Sequence, residues 1–147
     1  MGPQLMDAAG HGEVKEVQRL LELDPTIATF ATEEGETPLH VACISGKPEI
    51  IRAIVAAGGK VDARAYGPNS LKMTPLSWCV FGGFKEAVVV LVLEAEADVN
   101  AVFLDERGAS ITVMDVCNKI GKDRDDIADV LKKRGGVPAS AIDRDEM

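Results

Sequence analysis

The fold is decided by the stretch Thr37-Pro38-Leu39-His40-Val41-Ala42-Cys43-Ile44-Ser45-Gly46, because a near copy of it follows further along the chain. That copy is Thr74-Pro75-Leu76-Ser77-Trp78-Cys79-Val80-Phe81-Gly82-Gly83. A third, more divergent copy starts at Thr112, and an earlier one without the Thr-Pro pair surrounds Ala8-Ala9. Self-similarity at a nearly fixed period indicates stacked structural repeats.

Each copy has the features of a pair of helices. Thr37 is suited to cap the start of a helix, and Pro38 suits its first turn, where the missing N–H has no cost. Gly46 allows the chain to reverse at the end of this short helix. The residues that follow carry apolar side chains at helical spacing, as in Ile50-Ile51 and Ile54, which predicts a second, amphipathic helix. One such unit leaves its apolar side exposed, and stacking several units buries it.

This pattern resembles the ankyrin repeat, whose consensus begins Thr-Pro-Leu-His and ends the first helix with small residues and a glycine. The resemblance runs from Leu5 to Gly136 and implies an all-α ankyrin-repeat solenoid of four stacked helix-turn-helix repeats with hairpin-like finger loops. We expect a repeat domain over 1–136, with repeats at about 3–34, 35–71, 72–109 and 110–136, and an acidic, flexible tail over 137–147. The repeats are longer than the family's, which places one extra residue within 93–96, two within 122–126 and the rest in the fingers 62–72 and 100–110.

Composition excludes several classes of partner. The 147 residues include 16 basic and 24 acidic ones, for a net charge of −8, which disfavours nucleic acids and anionic membrane surfaces. No apolar run is long enough to cross a bilayer, and the first residues lack the basic and apolar regions of a secretory signal. Three cysteines are too few for a disulfide scaffold and fit a reducing compartment. We expect a monomeric protein located in the cytoplasm, with the nucleus as an additional location.

Residues for catalysis or metal binding are few. The chain has two histidines; the resemblance implies that His40 joins neighbouring loops by hydrogen bonds, whereas His11 is either a groove residue or a solvated turn residue. The run 123–127 lacks the glycine and the terminal glutamate of a calcium loop. The cysteines lack the close spacing of zinc ligands, so we expect them to fill small buried positions: Cys43, Cys79 and Cys117. The sequence thus predicts no cofactor, no metal and no enzyme activity.

The resemblance implies that a partner protein binds on a concave face built from finger tips and first helices. By register, Phe81 lies on this face while Leu76 and Val80 point inward; the alternatives are that Phe81 belongs to the core and that Trp78 packs between repeats. Asn69, Asp105, Glu106 and Ile120 lie on the same loops and helices. The candidate binding residues are His11, Glu33, Glu34, Glu36, Ile44, Ser45, Arg64, Tyr66, Leu71, Met73, Trp78, Phe81, Phe103, Leu104, Arg107 and Lys119.

Charge is unevenly distributed along these repeats. Residues 1–36 carry two basic and eight acidic side chains, whereas residues 37–72 carry five basic and two acidic ones. An acidic first finger beside a more basic second one would orient a ligand of mixed charge; the alternative is an ordinary solvated surface. The leading hypothesis is a protein–protein interaction module that acts stoichiometrically, as an adaptor, inhibitor or assembly chaperone. The alternative is an enzyme or small-molecule binder built on the groove.

Overall fold

The computed structural model describes residues 1–68 and 70–142. Asn69 and the end of the expected tail, 143–147, lie outside the described residues. The described chain forms four helix pairs, followed by a short turn of 3-10 helix at Ala139–Ala141. The helices are α1 (Gly2–His11), α2 (Val14–Leu23), α3 (Pro38–Ser45), α4 (Pro48–Ala56), α5 (Pro75–Gly82), α6 (Lys85–Val89), α7 (Val113–Ile120) and α8 (Asp125–Lys133).

The pairs stack as a solenoid, which confirms the expected fold class. The first helices α1, α3, α5 and α7 pack side by side, and the second helices α2, α4, α6 and α8 form a parallel layer behind them. Between the layers lies an aliphatic core that includes Leu39, Ile54, Leu76 and Leu91. No helix in the described part of the chain is long and apolar enough to span a membrane.

Loops that we call fingers precede the first helices: finger 1 (30–36), finger 2 (62–72) and finger 3 (100–110). A short antiparallel hairpin of β1 (Phe103–Leu104) and β2 (Ser110–Ile111) lies in finger 3 and extends one residue beyond it. An isolated bridge pairs Ala65 of finger 2 with Met73, the residue that follows finger 2. Adjacent fingers are joined by backbone hydrogen bonds, from Tyr66 N–H to the Glu34 carbonyl (2.8 Å) and from Leu104 N–H to the Leu71 carbonyl (2.9 Å). The fingers therefore form one connected edge of the solenoid.

A threonine caps each of the last three first helices. Thr37 Oγ1 accepts a hydrogen bond from His40 N–H, and His40 Nδ1 accepts one from Thr37 N–H, which is a reciprocal capping box. Thr74 makes the same arrangement with Ser77, and Thr112 makes it with Asp115. These boxes fix the residue at which each finger ends and each helix begins.

His40 also connects two repeats. Its Nε2 donates to the Met73 carbonyl at the end of finger 2 (3.0 Å), because Nδ1 is occupied as the acceptor from Thr37. The side chain is fully buried and packs edge-on against Trp78, with ring centroids 5.3 Å apart. The expectation that His40 joins neighbouring loops is confirmed.

The extra residues of the longer repeats are absorbed by local irregularities. α6 continues into a π-helical turn, Val90–Glu94, in which Ala95 N–H bonds to the Val90 carbonyl five residues back. A single inserted residue is accommodated in this way without breaking the helix, and the turn overlaps the range 93–96 expected for the insertion. Within 122–126, a short 3-10 segment, Lys122–Arg124, leads into α8.

We expected the chain from Val137 onward to be flexible, but the start of this tail is held by hydrogen bonds. Thr112 Oγ1 donates to the Val137 carbonyl (2.7 Å), and Ala139 N–H donates to Asp115 Oδ2 (2.9 Å). Asn100 in finger 3 accepts a further bond from Val137 N–H. These contacts hold the start of the tail against the last capping box, where it takes the place that a finger of a fifth repeat would occupy.

Two of the three cysteines are joined. All three are buried, as expected for small apolar positions, but Cys43 of α3 and Cys79 of α5 form a disulfide with their Cα atoms 4.8 Å apart. This bond was not expected from the sequence. It covalently links the first helices of the second and third repeats, whose small residues allow the close approach. Cys117 remains a free thiol.

Reduction of this disulfide is expected to destabilise the protein. The bond closes a loop across 36 residues, for which the loss of chain entropy in the unfolded state corresponds to about 4 kcal/mol. Urea unfolding with and without dithiothreitol measures the difference. A Cys43→Ala, Cys79→Ala variant is the control, since its unfolding curve must not respond to the reductant. Identical curves for the unaltered chain, or three free thiols by mass spectrometry, would contradict the prediction.

Acidification below pH 6.5 is expected to weaken the fold through His40. Burial lowers the pKa of His40 from 6.5, although the bond to the Met73 carbonyl opposes that effect. As the pH falls below 6.5 the unfolded chain therefore takes up a proton that the folded chain excludes, so stability falls by at most about 1.4 kcal/mol per pH unit until the folded chain also takes up the proton. A His40→Gln variant should lose this slope, whereas a variant of the exposed His11 should keep it. An unchanged slope in His40→Gln would show that another group is responsible.

Candidate functional site

The candidate site is the groove, which we define as the surface formed by the exposed sides of the first helices and the facing sides of the fingers. Three consecutive first helices present a large apolar side chain there: Ile44 from α3 is 56% exposed, Phe81 from α5 is 47% exposed and Ile120 from α7 is 40% exposed. Folding normally buries side chains of this kind, and a row of them is a feature of binding surfaces. We call this row the apolar stripe.

A cavity of about 700 Å³ lies at the α7 end of the stripe. Its apolar lining comes from two fingers and two first helices, and charged residues stand at its rim. The apolar residues are Leu71, Met73, Phe81, Phe103, Leu104, Ile111, Val116 and Ile120, and the charged ones are Asp105, Glu106, Arg107, Asp115 and Lys119.

A second, more open depression of about 460 Å³ adjoins the first, since Met73 and Phe81 line both. It extends the apolar surface to Ile44 and Trp78. Trp78 is half-buried, so it packs on His40 between repeats and still presents an edge to the groove. Both alternatives considered for Trp78 therefore describe part of its environment.

Phe81 and Phe103 contact each other but differ in exposure. Their ring centroids are 6.3 Å apart in an edge-to-face arrangement, and Phe103 is only 1% exposed. Phe103 therefore forms the floor of the cavity. We expected it to contact a partner directly, but in the structure it supports Phe81 from below. The register expected for α5 is confirmed, because Leu76 and Val80 are buried while Phe81 is not.

Arg124 holds the end of α5 in place. Its guanidinium donates to the carbonyls of Val80 (2.8 Å) and Phe81 (2.7 Å). A cation at the carboxyl end of a helix also favours the helix dipole. Lys47 makes a similar contact between the first two repeats, where its ammonium group donates to the Gly12 carbonyl at the end of α1 (2.8 Å).

Several polar candidates turn out to have structural partners. The Arg64 guanidinium donates to the carbonyls of Lys72 and Val102, and so ties finger 2 to finger 3. Ser45 Oγ donates to the Ala9 carbonyl of the preceding repeat (2.8 Å). His11 is exposed, and its Nδ1 lies 2.7 Å from the Asp7 carbonyl in its own helix. These three residues support the shape of the groove more than they offer free groups to a ligand.

Finger 1 is the acidic end of the groove. Glu33 and Glu34 are exposed and Glu36 is half-buried, and the ion pairs found among the described residues all lie elsewhere. Tyr66 of finger 2 is 66% exposed and lies over Gly35, where any side chain would collide with its ring. Three glutamates of finger 1 and the exposed ring of Tyr66 in finger 2 thus lie on adjacent fingers.

Lys72 and Leu71 end finger 2 in an uncommon conformation. Both have positive φ angles, 61° and 55°, which cost non-glycine residues free energy. Leu71 contributes its side chain to the lining of the large cavity. Lys72 is exposed beside it. Backbone strain is thus located where finger 2 meets the cavity.

Titratable groups in the groove do not form a reactive cluster. In residues 1–68 and 70–142, no group of three or more potential metal ligands occurs. Burial raises the pKa of the Cys117 thiol, which disfavours the reactive thiolate. The pKa of Asp105 is lowered, chiefly because its carboxylate accepts the N–H of Ala109 in the turn of finger 3. The chemistry of the groove is therefore that of apolar contact and surface charge.

Sequence reasoning placed Ile120 on this surface by register, together with Lys119, and Ile111 among the finger residues, but it missed the contributions of Val116 and Arg124. The signal for Ile120 was present, since an apolar residue at the end of a first helix follows Ile44 and Phe81 in the preceding repeats. Arg124 gave no such signal, because its partners are backbone carbonyls of another repeat.

The matched pair Phe81 and Phe103 is expected to separate binding from stability. Phe81→Ala should lower the free energy of unfolding by less than roughly 1 kcal/mol, because the ring is half-exposed. Phe103→Ala should lower it by about 3–5 kcal/mol, because it removes a buried aromatic ring and leaves a cavity. Urea unfolding of both variants measures the difference, and equal losses would place Phe81 in the core.

Comparisons with known proteins agree with this architecture. The family model described as ankyrin repeats (3 copies) matches residues 5–102. A probable E3 ubiquitin-protein ligase of Oryza sativa subsp. japonica, XBOS32, is 28% identical over 95 residues, which cover 64% of this chain and 18% of the relative. The E3 ubiquitin-protein ligase XBAT33 of Arabidopsis thaliana is 35% identical over 93 residues, covering 63% of this chain and 17% of the relative.

An ankyrin repeat and KH domain-containing protein of Caenorhabditis briggsae is 34% identical over 100 residues, covering 67% of this chain and 4% of the relative. The chain thus spans less than a fifth of the length of each of these relatives. The family match extends over more than half of the chain and covers the first three helix pairs with the caps at Thr37 and Thr74. The chain therefore belongs to the ankyrin-repeat family.

Proposed function

We propose that this chain is a protein–protein interaction module that acts stoichiometrically, as an adaptor, inhibitor or assembly chaperone, through the groove. The observation that carries the proposal is the apolar stripe of Ile44, Phe81 and Ile120, which stays exposed across three consecutive repeats. Aromatic and large aliphatic side chains at the centre of a concave surface are typical anchors of protein interfaces. The charged rim of the stripe supplies the polar border that such interfaces have.

A small-molecule site is the second candidate, and the volume of the large cavity favours it. About 700 Å³ is within the range of ligand pockets. The apolar surface continues past this cavity to Ile44, however, which is more surface than a small ligand covers. A groove without a cluster of perturbed acids and bases among its described residues also favours binding over catalysis. We therefore assign the chain a non-catalytic role with no cofactor.

The relatives named as ubiquitin ligases bear on the proposal only through the shared repeats. Because the match covers 18% or less of the relatives given above, we carry over recognition of another protein and not the ligase activity.

We further propose a monomer that binds neither nucleic acid nor membrane, in keeping with the net charge of −8. The expected cytoplasmic location stays a prediction. The Cys43–Cys79 disulfide argues against it, because cytosolic thiols are kept reduced.

The test is affinity capture from cell extract with a matched pair of variants. The groove variant combines Ile44→Ala, Phe81→Ala and Ile120→Ala. The control variant is Leu23→Ala, which changes a side chain that is 62% exposed at the end of α2, on the opposite layer. We expect the unaltered chain and the control to retain the same partner in stoichiometric amount and the groove variant to lose it at least tenfold, measured by quantitative mass spectrometry.

Equal retention by the groove variant would place the interaction on another surface and contradict the proposal. Circular dichroism and urea unfolding of each variant establish that the repeats remain folded. Loss of the partner together with loss of folding would be resolved with Phe81→Ala alone, which is expected to cost little stability.

A further inference from the structure

The groove differs in character between its two ends. At the α7 end lies the large apolar cavity beneath Phe81 and Ile120, and at the α1 end lie the carboxylates of Glu33, Glu34 and Glu36. The apolar surface runs from the cavity to Ile44 of α3, the helix that finger 1 precedes. A ligand that follows the whole groove therefore meets apolar surface at one end and negative charge at the other.

Three of the five positive charges of the second repeat have partners within the fold. Lys47 donates to the Gly12 carbonyl, Arg52 pairs with Glu94 at 2.9 Å, and Arg64 donates to two carbonyls between the fingers. Lys60 and Lys72 are exposed, and Lys72 lies at the end of finger 2. The charged side chains of finger 1 itself are all acidic: Glu33, Glu34 and Glu36.

The distance between the two ends sets the length of the ligand. Neighbouring first helices pack about 8–10 Å apart, and finger 1, between the first and second repeats, is about two such steps from the cavity between α5 and α7. An extended chain advances about 3.3–3.6 Å per residue, so about five or six residues span the gap. An isolated small molecule does not reach both ends.

We propose that the groove binds an extended peptide segment of a partner protein that places a bulky apolar side chain in the cavity at Phe81 and Ile120 and a lysine- or arginine-rich stretch, about five or six residues away, against Glu33, Glu34 and Glu36. This inference rests on the proposed function and specifies its ligand. Charge complementarity selects this occupant over a second copy of the chain, because two copies with a net charge of −8 each repel one another.

The exposed ring of Tyr66 adds to the selection for cations. It lies against Gly35 of finger 1, and the Tyr66 N–H bonds to the Glu34 carbonyl, so a guanidinium or ammonium group bound at finger 1 is close to an aromatic ring. A single exposed ion pair contributes little, so the expected ionic contribution comes from several weak contacts and declines with salt. The apolar anchor is insensitive to salt.

The test uses a fluorescently labelled synthetic peptide with an arginine triplet, a Gly/Ser spacer of about five residues and a tryptophan, with binding followed by fluorescence anisotropy. Three comparison peptides carry a glutamate triplet, an alanine in place of the tryptophan, or a spacer of a single residue. We expect each of these changes to weaken binding about tenfold or more, since the short spacer prevents both ends from engaging together.

Two protein variants with the same change of charge provide the decisive comparison. The first replaces finger 1 carboxylates: Glu33→Lys, Glu34→Lys and Glu36→Lys. The second replaces exposed carboxylates on the second helices: Glu22→Lys, Glu86→Lys and Asp129→Lys. We expect the first to abolish the salt dependence and weaken binding about tenfold or more, and the second to change affinity less than threefold. Phe81→Ala should weaken binding while leaving the salt dependence in place.

Equal weakening by both charge variants would reduce the effect to net charge and overturn the inference. Equal binding of the arginine and glutamate peptides, or a dimer by light scattering that Phe81→Ala dissociates, would also overturn it. None of these results would touch the proposed function, because the affinity capture with the groove variant tests the use of the groove whatever its ligand is.

Discussion

The reciprocal hydrogen bonds between the threonine that starts a first helix and the residue three positions later are the constraint on which the rest of the structure depends. They fix the boundary between a finger and its helix, and the register of every side chain on that helix follows from this boundary. In the second repeat the partner is a histidine, so the same ring that completes the cap at Thr37 reaches the Met73 carbonyl with its other nitrogen. In the second repeat, one side chain thus both caps its own helix and joins two repeats.

Stacking in turn determines what the groove contains. Small residues on the first helices let α3 and α5 approach closely enough for Cys43 and Cys79 to bond, and this close approach leaves no room between the helices for the larger side chains at their ends. Ile44 and Phe81 therefore point away from the stack and become the apolar stripe. The exposure of these residues is a consequence of tight packing behind them.

Features that depend on position within one repeat were predictable from the sequence. The caps at Thr37 and Thr74 and the opposite orientations of Leu76 and Phe81 follow from the repeat pattern, whereas the bridge that His40 makes between repeats was expected only from the resemblance to the ankyrin repeat. Features that depend on contacts between repeats were not. Phe103 is buried because finger 3 folds onto α5, and Arg64 is engaged because fingers 2 and 3 come together.

The disulfide is another contact between repeats that the sequence alone did not predict. Cys43 and Cys79 occupy adjacent, not equivalent, positions of the repeat pattern, so aligning the repeats does not pair them. Only the offset between neighbouring helices brings the two sulfur atoms together. The anchored start of the tail was missed for a similar reason, because its partners Asn100 and Asp115 belong to the preceding finger and helix.

The same contacts favour the proposed use of the apolar stripe for recognition. The Cys43–Cys79 bond, the His40 bridge and the two hydrogen bonds from Arg124 to the end of α5 all lie directly behind the stripe and hold its backbone in one arrangement. Binding a ligand then requires little ordering of this chain, so most of the entropic cost is that of ordering the ligand. A short extended segment has few residues to order. A rigid groove with one deep anchor position therefore matches such a segment better than it matches a large, flexible ligand.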